Sequence, residues 1–148
     1  MKLIAANSRA TYDYNFTFKF EAGLVLTGAE VKSLRINTGS IRGSFIVQKK
    51  GELWLSNCFI KKYNNSTDTK YNPNRDRKLL ITKKEMNKIS GSMKNTGNSV
   101  VPISLYFTNK GLAKLSFGVG VGKKKYDKRQ SIKEKDWNIK KSRILKNN

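Results

Sequence analysis

Lys123, Lys124 and Lys125 open a C-terminal segment in which eleven Lys/Arg stand against three carboxylates, a net +8 over residues 123–148. Side chains of this kind neutralise phosphate and release the counterions condensed on a polyanion. The cations continue through Lys128, Arg129, Lys133, Lys135, Lys140, Lys141, Arg143 and Lys146, interrupted by Asp127, Glu134 and Asp136. Tyr126 and Trp137 lie among them, with rings able to stack on an unpaired base. A segment so charged cannot bury enough apolar surface to offset its own ordering entropy. It is expected to be disordered when free and to fold on a polyanion, as an arm for RNA. A solubilising tail is the plainer reading of the same run.

Bond-making chemistry has little to work with. The 148 residues hold no histidine and one cysteine, so no Ser-His-Asp triad, Cys-His pair or ordinary zinc site can be assembled. The ten acids recur in no metal-binding spacing. Neither catalytic residues nor a metal or cofactor is therefore expected, and an RNA-acting enzyme working through remote carboxylates is kept only as an alternative class. Cys58, near Trp54, Leu55 and Phe59, reads as a buried thiol. A net charge of +21 and a pI near 10.2 suit a nucleic-acid partner. An anionic membrane surface would satisfy the same charge. However, the chain has no run of about 20 apolar residues, and the apolar part of its start is too short for a signal peptide. A cytoplasmic protein, monomeric when free, is expected.

Positioning these groups requires a body, and residues 1–122 are enough for one domain. Phe16, Phe18, Phe20, Ala22, Leu24 and Leu26 alternate with polar residues, the period-2 signature of a half-buried strand with three phenylalanines on one face. Core packing is their first reading and base stacking their second. Thr27-Gly28-Ala29-Glu30 has the form of a capping box opening a helix to about Leu34. Strands near 44–49 and 53–60 flank the turn Lys50-Gly51. Residues 61–78 read as a long surface loop. Thr82-Lys83-Lys84-Glu85 is a second capping box, with a helix to about Gly91. Val101, Ile103, Leu105 and Phe107 face Ala113, Leu115, Phe117, Val119 and Val121 across Asn109-Lys110-Gly111 in a further hairpin. Five or six such strands predict a mainly β fold, a small antiparallel barrel of the oligonucleotide-binding type with short flanking helices. Gly118, Gly120 and Gly122 mark either a close strand approach or the near passage of a nucleic-acid backbone.

Several strings appear in a recognisable order: Thr27-Gly28-Ala29-Glu30-Val31-Lys32-Ser33-Leu34-Arg35, Arg77-Lys78-Leu79-Leu80, Gly122-Lys123-Lys124, Asp127-Lys128-Arg129 and Ile132-Lys133-Glu134-Lys135-Asp136-Trp137. With them the chain resembles the small protein B family, bacterial proteins that bind transfer-messenger RNA, from about Asn7 to Lys146. The resemblance implies a non-enzymatic carrier that takes alanine-charged transfer-messenger RNA to ribosomes stalled without a usable stop codon. It implies contact with the tRNA-like part of that RNA through Asn7, Arg9, Glu30, Lys123 and Lys124. Tyr12, Tyr14, Lys32, Arg35, Arg77, Lys78 and Lys125 join these as candidates. Glu30 remains open between RNA contact and a helix cap. The tail, including Tyr126, Asp127, Lys128, Arg129, Lys133, Lys135, Trp137, Lys140, Lys141, Arg143 and Ile144, is implied to occupy the empty mRNA path and decoding centre, becoming helical there. Tyr12 stands where many members carry histidine, and Asn72-Pro73 where Asp-Pro is frequent. A general ribosome-associated RNA-binding protein with the same fold is the alternative.

Overall fold

The computed structural model describes residues 1–36, 39–123, 135, 137 and 139. Among residues 1–123 the described elements follow in the order β1 (Lys2–Ala6), α1 (Ala10–Asp13), β2 (Tyr14–Leu24), α2 (Gly28–Ile36), β3 (Phe45–Lys49), β4 (Glu52–Ser56), β5 (Arg77–Leu80), α3 (Lys83–Met93), β6 (Asn98–Phe107) and β7 (Ala113–Gly122), and residues 135, 137 and 139 are helical. All pairings are antiparallel, and the strands lie in the order β1-β6-β7-β2-β5-β4-β3. The sheet does not close: β1 and β3 are both edges. The expected mainly β, antiparallel fold with short helices is present, while closure into a barrel is not shown. β5, which links the two halves, has only four residues and pairs with β2 through Leu79 and Leu80 and with β4 through Arg77 and Lys78.

Local sequence accounts for most of these elements. Lys50 and Gly51 take φ of +51° and +75°, the primed turn whose twist matches a two-residue hairpin. Thr82 caps α3 reciprocally with Glu85, as its spacing predicts. That helix runs past Gly91 to Met93, burying Ile89 against the core. β4 stops at Ser56, short of the expected Ile60, because Asn57 turns to φ +58°. The core joins Ala22 and Leu24 to Leu53, Leu55, Leu105, Leu115 and Phe117, with Leu34 and Ile89 packing on it from the helices. Each leucine, isoleucine or phenylalanine of this set, fully buried, contributes about 1.5–3 kcal/mol.

The phenylalanine row does not keep to one face. The β2–β7 register shifts between Phe16 and Phe18, a bulge that takes up one extra residue. Phe20 stacks on Phe117 in the core at 5.6 Å between centroids, and Phe18 lies beside it. Phe16 sits on the other face. Lys19 and Gly118 are directly opposed and so share a side; a Cβ on Gly118 would stand 2.5 Å from Phe16 Cδ1, and Lys19 Nζ is 5.8 Å from the Phe16 centroid. Tyr14 stacks on Phe16, with centroids 6.1 Å apart and planes 20° apart. Gly118 and Gly120 are therefore sites of close packing, the first of the two readings open from sequence. A Cβ at Gly120 would lie 2.1 Å from the Asn15 carbonyl oxygen, a backbone atom that cannot swing aside, whereas one at Gly122 would have 4.0 Å of clearance. Gly120→Ala is expected to cost about 3 kcal/mol and Gly122→Ala no more than about 0.5 kcal/mol, measured by urea unfolding. Equal stabilities would remove the packing role assigned to Gly120.

Candidate nucleic-acid interface

One group of candidate residues gathers around α1. The chain leaves β1 at Ala6, and Asn7 ties it to β6: its N–H donates to Ile103 O at 2.7 Å and its side-chain amide to Pro102 O at 3.2 Å. Asn7 is therefore partly committed to holding the corner. Arg9 follows, 70% exposed and 3.7 Å from Asp13, a surface pair of the kind that adds little stability and leaves the guanidinium available. Lys123, just beyond β7, returns to the same turn. Its N–H donates to Asp13 O at 2.8 Å and its ammonium to Thr11 O at 2.9 Å. Tyr12 is half-buried, and Lys135 Nζ lies 5.0 Å from its ring centroid. Tyr14 and Phe16 extend this surface as a stacked pair laid over the β7 glycines, flanked by Lys19. Cations, ring faces and backbone carbonyls at one corner make a surface suited to phosphate and unpaired bases.

A second group forms a buried knot. Glu30, on the first turn of α2, makes the expected cap: Thr27 N–H donates to its Oε1 at 2.9 Å, and its own N–H donates to Thr27 Oγ1 at 3.2 Å. Its carboxylate also receives Arg77, with Nε and Nη2 at 2.7 and 2.6 Å from Oε2, together with Arg75 and the Tyr71 hydroxyl. The side chains of Glu30 and Arg77 are both 0% exposed. Neither has surface to offer an RNA in this structure, and of the two roles open for Glu30 the structure displays the cap, enlarged into an ion-pair centre. Arg77 further donates to the carbonyls of Cys58, Pro73 and Arg75, so segment 58–77 folds around one guanidinium. Burial alone would raise the Glu30 pKa; hydrogen bonds from Arg75, Thr27 and Arg77, together with the Arg77 charge, hold it below the ordinary carboxylate value. Burial pushes the Cys58 thiol up to about 11, the unreactive state expected from sequence.

The remaining candidates lie apart from the knot's interior. Lys32 and Arg35 are exposed on α2, with Lys32 Nζ 5.9 Å from the Tyr63 ring centroid. Lys78 is held 3.0 Å from Glu52. Lys124, Lys125, Tyr126, Asp127, Lys128, Arg129, Lys133, Lys140, Lys141, Arg143 and Ile144 lie outside the described residues. Trp137 is 61% exposed. Sequence reasoning missed Tyr71 and Arg75, which sit in the stretch read as a polar loop, and also Phe45, an aromatic left 50% exposed on β3. A signal was present for the knot: a glutamate in the first turn of a helix that must pack on the core needs a cation, and Arg75 and Arg77 stand just before and at the start of β5.

The model of the family described as SmpB protein matches residues 4–147. An SsrA-binding protein of Ehrlichia canis (strain Jake) is 48% identical over 148 residues, covering the whole of both chains. Another, of Wolbachia pipientis subsp. Culex pipiens (strain wPip), is 46% identical over 148 residues, covering 100% of this chain and 99% of the relative. A solved structure described as "tmRNA-SmpB: a journey to the center of the bacterial ribosome" is 36% identical, with a TM-score of 0.64 over 86% of this chain and 92% of that one.

Proposed function

The chain belongs to the SmpB protein family, and from that premise we propose that it binds transfer-messenger RNA and carries it to stalled ribosomes for tagging and rescue. The observation that carries the reading is the α1 corner, where Arg9, Tyr12, Tyr14, Lys123 and Lys135 meet on a chain of net charge +21. Such a surface recognises a folded RNA by phosphate and shape, with ring faces for splayed bases. Residues 1–122 act as the RNA-holding body and residues 123–148 as the arm that engages the ribosome. The body is a small barrel of the oligonucleotide-binding type that is opened at one seam. The protein acts as a carrier, without catalytic residues or cofactor, in the cytoplasm, as a monomer when free. No helix among the described residues is long and apolar enough to cross a membrane.

Sequencing the RNA that co-purifies with the protein from native cytosol tests this reading. Enrichment of transfer-messenger RNA over ribosomal and transfer RNA is the expected result; an even spread would favour the general RNA-binding alternative. Phosphate contact also predicts the salt dependence. With about four to eight phosphates neutralised, log affinity should fall with log salt at a slope of roughly −3 to −7. Replacing Lys123, Lys124 and Lys125 with alanine should flatten that slope by roughly 2. An unchanged slope would place the RNA surface elsewhere.

A further inference from the structure

We propose that the slot between β3 and the first half of β6 holds one unpaired nucleobase of a bound RNA. The proposal rests on the RNA-binding reading above and adds a place where a base is gripped by its face.

The slot exists because two strand edges meet without pairing. β1 pairs with β6 only from Ser104 to Phe107. Among the described residues, Asn98–Val101 of β6 have β7 as their only strand partner. β3 ends the sheet at its far side. The two edges approach within 8 Å, Cα to Cα, yet join no ladder. Between them is a cleft of about 330 Å³ whose lining includes Tyr14, Phe45, Ile46, Met93, Ser99 and Val101.

Its width and chemistry select the occupant. Inserting a further strand needs about 9.6 Å between the flanking backbones, two spacings of about 4.8 Å, whereas residues of β3 and β6 come within 8 Å of each other, Cα to Cα; a flat ring asks for less room. Tyr14 is set in place by its stack on Phe16, and Phe45 and Met93 are 50% and 40% exposed at the opening. No carboxylate is among the lining residues. Arg42 and Lys94, close in sequence to Ser44 and Met93, are exposed cations, and the one acid adjoining the lining, Asp13, lies 3.7 Å from Arg9. The unpaired edge of β6 adds backbone N–H and C=O groups for a base edge. Ring faces, strand-edge hydrogen bonding and exposed cations one or two residues from the lining together match a nucleotide better than an apolar peptide, which has no use for the cations.

The test is a titration of the full chain with a ten-nucleotide single-stranded RNA carrying one 2-aminopurine, beside the same RNA with an abasic site at that position. Phe45→Ala and Phe45→Leu should each weaken binding of the intact RNA about tenfold and abolish the fluorescence quench, while Phe45→Tyr retains both. The abasic RNA should bind the wild type about tenfold more weakly. A 4-thiouridine RNA should crosslink to Ser44–Ile46 or Ser99–Val101. Phe45 variants binding within twofold of wild type, or abasic RNA binding as well as intact RNA, would overturn the proposal. So would a wild-type dimer in sedimentation that Phe45→Ala dissolves, which would give the slot to a second copy. If the wild type also shows no preference for transfer-messenger RNA over unrelated RNA, the functional reading fails; if that preference stands while Phe45 is inert, the slot alone fails.

Discussion

Glu30→Ala is expected to destabilise the protein by about 3–5 kcal/mol in urea or thermal melts, the range seen when one partner of a buried ion pair is removed. The reason is what it leaves behind. The Arg77 guanidinium has no exposed surface, and without Glu30 its charge stays in the interior with only carbonyls and the Tyr71 hydroxyl for company. Glu30→Gln keeps the shape and loses the charge, and is expected to cost nearly as much. The sign with pH follows from the lowered Glu30 pKa: its stabilisation is complete above the unfolded carboxylate value, 4.5, and is lost as pH falls through the lower folded value. Wild type should therefore show an acid-unfolding limb below about pH 4.5 that is missing from Glu30→Gln. A Glu30→Gln melt within about 0.5 kcal/mol of wild type at neutral pH would show that the knot does not hold the fold. RNA binding lost in this variant is to be read together with its melt, because segment 58–77 is folded around the same centre.

The second large effect separates RNA capture from ribosome engagement. Replacing Asp127, Lys128 and Arg129 together, or Trp137 alone, is expected to abolish peptide tagging on stalled ribosomes while leaving transfer-messenger RNA affinity within about threefold, under about 1 kcal/mol. The corner that presents Arg9, Tyr12 and Tyr14 is built by α1, β2 and β7, none of which includes the replaced residues. Trp137 is 61% exposed, so its loss removes little packing. A gel-shift titration and a tagging assay on the same variants decide the matter. Parallel loss of both activities, or tagging that survives, would deny the arm a separate role.

What could be read from sequence was whatever local rules govern. Both capping boxes and the Lys50-Gly51 turn form as their spacing predicts, because each involves neighbours within a few residues; the β6–β7 hairpin also forms, but its register shifts between Pro102 and Ser104, so Val101 lies opposite Gly118 and off the face that Leu105 and Phe107 share. The family likewise was legible from ordered strings. The β2 bulge was not: alternation continues unbroken in Phe16-Thr17-Phe18, and only pairing with β7 shows where one residue is set aside. β1 and β5 escaped notice because five- and four-residue strands carry too few alternations to rise above their basic surroundings. Closure of the sheet depended on whether β3 reaches β6, a long-range question that no periodicity answers. At the site, Arg9, Tyr12, Tyr14 and Lys123 do come together at one corner. The ion pairs of Glu30 join residues 45 and 47 positions apart, which no spacing rule within a helix or strand would connect.

The two hydrogen bonds from Lys123 to Asp13 and Thr11 anchor the root of the C-terminal arm to the turn that carries Arg9 and Tyr12. The arm thus starts from a fixed bearing rather than from a slack joint, and its reach becomes a measure of distance. Residues 124–148 span about 38 Å if wound as an α-helix and about 85 Å if fully extended. An RNA gripped at α1 can therefore sit no farther than that from whatever residue 148 touches. Coiling of the arm would draw the two together by as much as about 47 Å, so the protein works as a caliper whose fixed jaw is the α1 turn.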